Sequence, residues 1–292
     1  MRETMTELIP PDAFTALGHP GRLAVFRMLA GRAPAQVRAG EVAEALALRP
    51  NTVSVYVGTL IRAGLVQSRR VATSVYYRVD YDLVRRLSEY LVHDCCGGRP
   101  DLAAEPEPEP PDDGPLHVLF LCHCNSARSI MAEALLRKLA PSWAVAHSAG
   151  LDPAPLIHPM TLDLLDLRGL AVSGQRPKPL TQYRQPGAPR MDLVVTLCDR
   201  TADGLDLRWP GRALQSHWSV ADPAMATGAA ADRQAAFDDC YRSIAALVGA
   251  LAGLAEPKGD RHRLLRAIDA IGLRDTAPGP GGPLRAGHRQ CG

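Results

Sequence analysis

Between residues 103 and 115 the chain reads Ala-Ala-Glu-Pro-Glu-Pro-Glu-Pro-Pro-Asp-Asp-Gly-Pro, a stretch that can join neither a helix nor a sheet. Each proline lacks the N–H that either lattice needs and fixes its own φ, while the carboxylates repel one another along an extended backbone. A chain interrupted in this way folds separately on each side, so its 292 residues divide into two modules joined by an acidic, proline-rich linker over residues 99–115.

The two sides are patterned differently. Before the linker, apolar positions recur at helical spacing through 14–29, 42–48 and 53–61; after it, short apolar runs at 118–121 and 193–197 alternate with helical stretches at 131–139, 162–167 and 235–254. A mainly α module over residues 1–98 thus precedes an α/β module with a parallel sheet over 116–255. Residues 256–292 read as one short helix, 264–273, and a disordered Gly- and Pro-rich tail. The formal charge of +2 is too small to advertise nucleic-acid binding across the whole chain, so such a function must rest on a local surface. No apolar run approaches a membrane span and the first ten residues lack a signal-peptide core, which predicts a cytoplasmic protein without a membrane partner. Seven cysteines in a reducing compartment point to thiol chemistry rather than a structural disulfide framework. Cys240, among helix formers, and Cys291, in the tail, read as the exceptions.

In the first module, 41–48, the break Arg49-Pro50-Asn51 and 52–63 read as helix, tight turn, helix; 65–70 and 74–78 read as a two-stranded hairpin. A helix-turn-helix with a β-wing is a DNA-reading device whose second helix enters the major groove while the wing reaches phosphates. Asn51, Thr52, Ser54 and Tyr56 would face bases or backbone, with Arg69 and Arg70 on the wing. The bland alternative is that the arginines are a solvated face and the helices merely pack.

In the second module an apolar strand, 116–121, runs into Cys122, five residues, then Arg128-Ser129 and a helical stretch. A short loop ending at a helix N-terminus turns backbone N–H groups inward, and the helix dipole adds positive charge where a tetrahedral anion would sit. His123, Cys124, Asn125, Ser126, Ala127, Arg128 and Ser129 would line that oxyanion site. The Arg128 fork fits two oxygens, and the same field favours a Cys122 thiolate as nucleophile.

These stretches resemble two known families. Phe14-Thr-Ala-Leu-Gly-His-Pro-Gly-Arg22, the turn and helix around Thr52-Val-Ser54, Ala63-Gly-Leu-Val66 and Tyr76-Tyr-Arg78 resemble the ArsR/SmtB winged-helix repressors over residues 10–98. The resemblance implies a homodimer that binds operator DNA and releases it on meeting a thiophilic metalloid. Asp94-Cys-Cys-Gly-Gly-Arg-Pro100 resembles the arsenite site of one subgroup, so Cys95 and Cys96 are its candidate arsenite ligands, with Asp101, Leu102 or Ala103 where a third cysteine is expected.

Over residues 116–254, Cys122 to Ser129, Ser148-Ala-Gly150, His158-Pro159, Asp192 to Asp199, Trp209-Pro-Gly211 and His217 to Ala224 resemble the arsenate reductases of the low-molecular-weight tyrosine phosphatase fold, with its phosphatase-type P-loop. The resemblance implies that Cys122 attacks arsenate, Arg128 holds it, Asp222 protonates the departing oxygen, and Cys198 takes the disulfide as arsenite leaves. Asn125 and Ser129 would support the loop and the thiolate. No cofactor is held; an external thiol reductant (thioredoxin, glutaredoxin with glutathione, or mycothiol) recycles the disulfide. The relay cysteine of the thioredoxin-coupled branch falls here on Leu205 or Asp206, so Cys124 or a small thiol would take its place.

The leading expectation is an arsenite-responsive repressor fused to an arsenate reductase. Two alternatives stand beside it: a phosphomonoester hydrolase tethered to a DNA-binding regulator, for which Cys122, Arg128 and Asp222 suffice, and a purely regulatory oxyanion sensor, against which a general acid at Asp222 argues.

Overall fold

The structure, a computed structural model, describes residues 11–97, 114–204, 209, 213–254 and 261–274. Residues 98–113 of the linker stretch, Leu205, Asp206 and the tail with Cys291 lie outside the described residues. The chain divides into two compact units, residues 1–113 and 114–292, each with its own apolar core.

The first unit runs α1 (Pro11–Leu17), α2 (Pro20–Gly31), β1 (Val37–Arg38), α3 (Ala39–Ala45), α4 (Pro50–Arg62), β2 (Val66–Val71), β3 (Ser74–Val79) and α5 (Tyr81–Glu89), followed by a π-helical turn, Tyr90–Cys95. His19 starts α2 by accepting at Nδ1 from the N–H of Gly21 (3.1 Å) and of Arg22 (3.4 Å), with Pro20 in the first turn where its missing N–H costs nothing. Helix α4 buries Val53, Val57 and Leu60, one stripe at helical spacing, and ends at Gly64, whose φ of +75° suits a residue without Cβ. Helix α3 stops at Ala45, short of the expected Leu48, because the backbone turns left-handed at Ala47 (φ +50°). The antiparallel sheet has the order β1-β3-β2; in the β2–β3 hairpin Val66 is the one buried residue of β2.

The second unit runs β4 (Leu116–Cys122), α6 (Arg128–Leu139), β5 (Ala144–Gly150), α7 (Pro159–Leu167), a 3₁₀ turn (Leu180–Tyr183), β6 (Leu193–Thr196), α8 (Asp199–Gly204), β7 (Leu214–His217), a 3₁₀ turn (Pro223–Met225), α9 (Ala230–Ala252) and α10 (Arg261–Arg274). The sheet is parallel throughout, in the order β5-β4-β6-β7. Alternation along β4 explains its unbroken apolar run. Val118, Phe120 and Cys122 join the core with Ile130, Leu247 and Ile268, whereas Leu119 and Leu121 join a second cluster with Tyr183, Met191 and Trp209. From β4 the chain passes to β5 on one side and later crosses to β6 on the other, and the loops that part there open a crevice at the carboxyl ends of the strands.

Strands β5 and β7 escaped the sequence reading: Ala144-Val-Ala-His-Ser-Ala-Gly150 is built of small residues, and Leu214-Gln-Ser-His217 is a polar edge. The expected boundary at residue 255 also needs correction, because α10 is part of the second core. Ile268 and Ile271 are buried, the Trp218 indole N–H donates to the Ile268 carbonyl (3.3 Å), and the Ser216 hydroxyl donates to Asp269 (2.9 Å), whose carboxyl burial pushes up. The exposed flank of β7 has to be covered, and α10 covers it. Among the described residues no helix is long and apolar enough to cross a membrane.

Candidate active site

The loop between β4 and α6 is held open from outside. The N–H groups of Asp152, Ala154 and His158 donate to the carbonyls of His123 (3.0 Å), Cys124 (2.8 Å) and Ser126 (3.0 Å), so these oxygens face away from the space the loop encloses. Asn125, fully buried, takes φ +48°, a left-handed conformation that asparagine tolerates better than most residues. Gly150 at the end of β5 lies so close beneath that a Cβ there would come within 2.6 Å of the His123 carbonyl oxygen. Helix α6 then starts at Arg128 with its dipole aimed into the loop.

Hydrogen bonds reach Cys122 through Asn125 and Ser129. The Lys178 backbone N–H can only donate, and it reaches Asn125 Oδ1 at 2.7 Å, which assigns the amide. Asn125 Nδ2 therefore donates to Ser129 Oγ (2.7 Å), which lies 2.9 Å from Cys122 Sγ; either atom of that contact can donate, and only the hydroxyl can once Cys122 is a thiolate.

Arg128, 6% exposed, donates from Nη1 to the Val220 carbonyl (3.2 Å) and pairs through Nη2 with Asp222 Oδ2 (2.5 Å). Burial works against its charge, but its interactions with Cys198, Asp222 and Cys122 outweigh that and raise the guanidinium pKa. Cys122, Cys198 and Asp222 thus all lie close enough to Arg128 to feel its charge. Cys198, directly after β6 and 7% exposed, bonds the Thr201 hydroxyl (2.9 Å). Burial raises its thiol pKa, while Arg128 and Thr201 pull it down. His217 steadies this corner: Nδ1 meets Thr196 Oγ1 at 2.8 Å and Nε2 meets Asp199 Oδ1 at 3.0 Å, which ties the end of β6 and the start of α8 to β7.

The structure therefore brings Cys122, Asn125, Arg128, Ser129, Cys198 and Asp222 to one end of the sheet. His123, expected to line the oxyanion site, has a side chain 12% exposed, both ring nitrogens buried without a hydrogen bond, and a pKa pushed down by burial first, then Arg200. Cys124 is disulfide-bonded, which a thiol-only reading did not foresee, while Cys95, Cys96, Cys122, Cys198 and Cys240 are free thiols. Cys240 is buried in the core on α9 with its pKa pushed up to about 12 by burial. His158, part of the resemblance but given no role by it, caps α7 by accepting from the Met160 N–H (3.3 Å) and packs its ring 4.6 Å from Phe237. Sequence reasoning also gave no role to Glu133, 1% exposed on α6 and bonded by Ser148, Lys178 and Arg137. A lone Glu in an otherwise buried helical stretch is the signal that pointed to it.

In the first unit Asn51 and Ser54 lie exposed on α4, Arg69 and Arg70 are exposed on β2, and Thr52 is half-buried. Tyr56 does not join them: its ring packs 5.1 Å from His19 and against Gly21. Cys95 and Cys96 are exposed, and among the described residues no group of three or more His, Cys, Asp or Glu could hold a metal ion.

Residues 117–261 match the model of the family described as low molecular weight phosphotyrosine protein phosphatase. An arsenate reductase of Halalkalibacterium halodurans is 36% identical over 121 residues, 41% of this chain and 83% of that protein. A glutaredoxin arsenate reductase of Synechocystis is 29% identical over 106 residues, 36% of this chain and 77% of that protein. Among solved structures, an arsenate reductase of Archaeoglobus fulgidus aligns with 45% of this chain and 98% of its own at 30% identity and a TM-score of 0.35.

Proposed function

Since residues 117–261 place the chain in the low molecular weight phosphotyrosine protein phosphatase family, we propose that its second unit is an arsenate reductase. The observation that carries this reading is Cys198, a second thiol that shares the cation Arg128 with Cys122. A hydrolase has no use for a thiol there; a reductase needs one.

Arsenate enters the loop and takes the Arg128 fork from Asp222. Cys122 thiolate attacks arsenic, forming an S–As bond, and Asp222 as the acid protonates the oxygen that leaves as water. Cys198 then attacks the Cys122 sulfur. The S–S bond forms, the S–As bond breaks, and its electron pair stays on arsenic, which departs as arsenite while the two thiols are oxidised by two electrons. An external thiol reductant, whether thioredoxin, glutaredoxin with glutathione, or mycothiol, returns the disulfide to dithiol.

The test is arsenite production from arsenate by the full chain with each donor supplied separately. One donor should support turnover, and Cys122→Ser and Cys198→Ser should both be silent. Silence of the native protein with every donor, together with aryl phosphate hydrolysis that survives Cys198→Ser, would replace the reductase by a phosphatase.

The first unit, in this reading, is an arsenite-responsive winged helix-turn-helix repressor. Support comes from exposed Asn51 and Ser54 near the start of α4, exposed Arg69 and Arg70 on the neighbouring hairpin, and the exposed vicinal thiols Cys95 and Cys96. Exposed Phe14 and Leu91, on α1 and the π turn, suit pairing into a homodimer. Fluorescence anisotropy with DNA flanking its own coding sequence should show binding that Arg69→Ala/Arg70→Ala weakens and arsenite releases. Release that persists in Cys95→Ser/Cys96→Ser would remove those cysteines from the sensor, and a monomeric sedimentation profile would remove the dimer.

A further inference from the structure

Lys178 lies on the segment between α7 and the 3₁₀ turn, outside the loop that carries the reacting groups, yet it touches that loop through its backbone. Its N–H donates to Asn125 Oδ1 (2.7 Å), and its carbonyl accepts from the Gly150 N–H (2.8 Å), so the residue is a strut between the end of β5 and the oxyanion loop. Its side chain goes the other way, into the protein, where Nζ meets Glu133 Oε2 at 3.2 Å with side chains 9% and 1% exposed. Glu133 is pinned in turn by Ser148 and Arg137. Burial lowers the Lys178 pKa and Glu133 restores part of it, while Arg137 and Arg176 oppose the charge; His147 and Tyr183, packed nearby, respond to the same charges.

A buried ion pair is a poor source of stability, because desolvation of both charges offsets most of their attraction, and an apolar pair of similar volume does as well. What such a pair supplies is position. An ammonium held by a carboxylate that is itself fixed on α6 leaves the Lys178 backbone little freedom, and Asn125 has one N–H to read.

We infer that Lys178 is a positioning residue for the nucleophile: anchored on Glu133, it orients the Asn125 amide, and Asn125 leaves the Ser129 hydroxyl proton for the Cys122 sulfur. The inference rests on Cys122 being the nucleophile of the proposed function, but its test needs no substrate, so a failure to reduce arsenate does not touch it.

The experiment is the pH dependence of Cys122 alkylation by iodoacetamide in the full chain, followed by peptide mass spectrometry, with thermal unfolding as the check on fold. Lys178→Met should raise the pH midpoint by about one unit, roughly a tenfold loss of reactive thiolate at neutral pH. Lys178→Gln, whose amide still reaches Glu133, should shift it less. In a Ser129→Ala background Lys178→Met should add nothing further, because both act through one path. A folded Lys178→Met with an unmoved midpoint, or a shift that adds fully to that of Ser129→Ala, overturns the inference and leaves the pair as structural only. If Lys178→Met does not fold, Lys178→Leu, which likewise removes the bond to Glu133, decides by the same criterion: an unmoved midpoint overturns it.

Discussion

Replacing Gly150 by alanine should damage turnover far more than folding. A Cβ at this position would lie 2.6 Å from the His123 carbonyl oxygen and 3.1 Å from both the backbone N and the Cβ of Asn125. Ordinary contact begins near ~3.5 Å, so the loop must retreat by something on the order of 0.5–1 Å. No flexible side-chain end is available to absorb that movement: the His123 oxygen already accepts from the Asp152 N–H at 3.0 Å, and Asn125 is committed to Lys178 and Ser129. A displacement of about 1 Å at reacting groups costs on the order of a hundredfold in rate, whereas overpacking one methyl costs about 1–3 kcal/mol of stability. The expected result is therefore a 10- to 100-fold fall in kcat/KM for arsenate (roughly, by the same displacement argument), with a cooperative thermal transition lowered by only several degrees. Steady-state reduction with the donor that serves the native protein, alongside a thermal melt, measures both. Native kcat/KM in a folded Gly150→Ala would refute the reasoning, since it would mean that the loop is not held by this contact.

Three further outcomes are expected. Ser129→Ala removes the hydroxyl that can donate to a Cys122 thiolate, a hydrogen bond to a charged group worth about 1.5–3 kcal/mol, and should lower kcat/KM at neutral pH by roughly 10- to 100-fold; an unchanged value would mean that Ser129 does not support the nucleophile. Ile268→Ala should destabilise the second unit by about 2–5 kcal/mol in denaturant melts, and a loss under 1 kcal/mol (about the value for a surface substitution) would deny α10 its place in the core. His147 is held to about 4 by burial first, then by His117, Arg137 and Lys178. The unfolded chain takes up that proton earlier, near its ordinary value of about 6.5, so the contribution is full above that pH and is lost as pH falls toward about 4. Stability measured at several points across this window should decline with acid, and His147→Gln should flatten the decline; equal slopes would contradict it.

Local patterning made much of the second unit legible. The apolar run of β4, the Cys122 to Ser129 spacing, the stretch that becomes α6, the strand that ends before Cys198 and the long helix α9 all announce themselves through periodicity or turn chemistry. In the first unit, Pro50 at the start of α4 and the β2–β3 hairpin were readable for the same reason. Elements that carry no local signature were lost. Strands β5 and β7 are strands because β4 and β6 pair with them, and α10 is a core helix because β7 presents a flank to cover. The phase of α4 was also invisible: Tyr56 packs on His19 and Gly21, contacts that arise from α2 crossing α4.

What the amino-acid order determined by itself is the chemistry available: a thiol seven residues before a serine, an arginine between them at a helix start, a second thiol after an apolar strand, and a proline-rich break that separates two modules. Those features are local, written in adjacent residues whose backbone preferences and charges act over a few ångströms. Only the tertiary structure decided which distant groups serve that chemistry. Asp222 reaches Arg128 across 94 positions, Lys178 reaches Asn125 across 53 and Glu133 across 45, and Gly150 sets how closely β5 approaches the loop. Such pairings follow from the order and direction of strands in the sheet, and strand order results from packing the whole chain rather than from the preference of any segment within it.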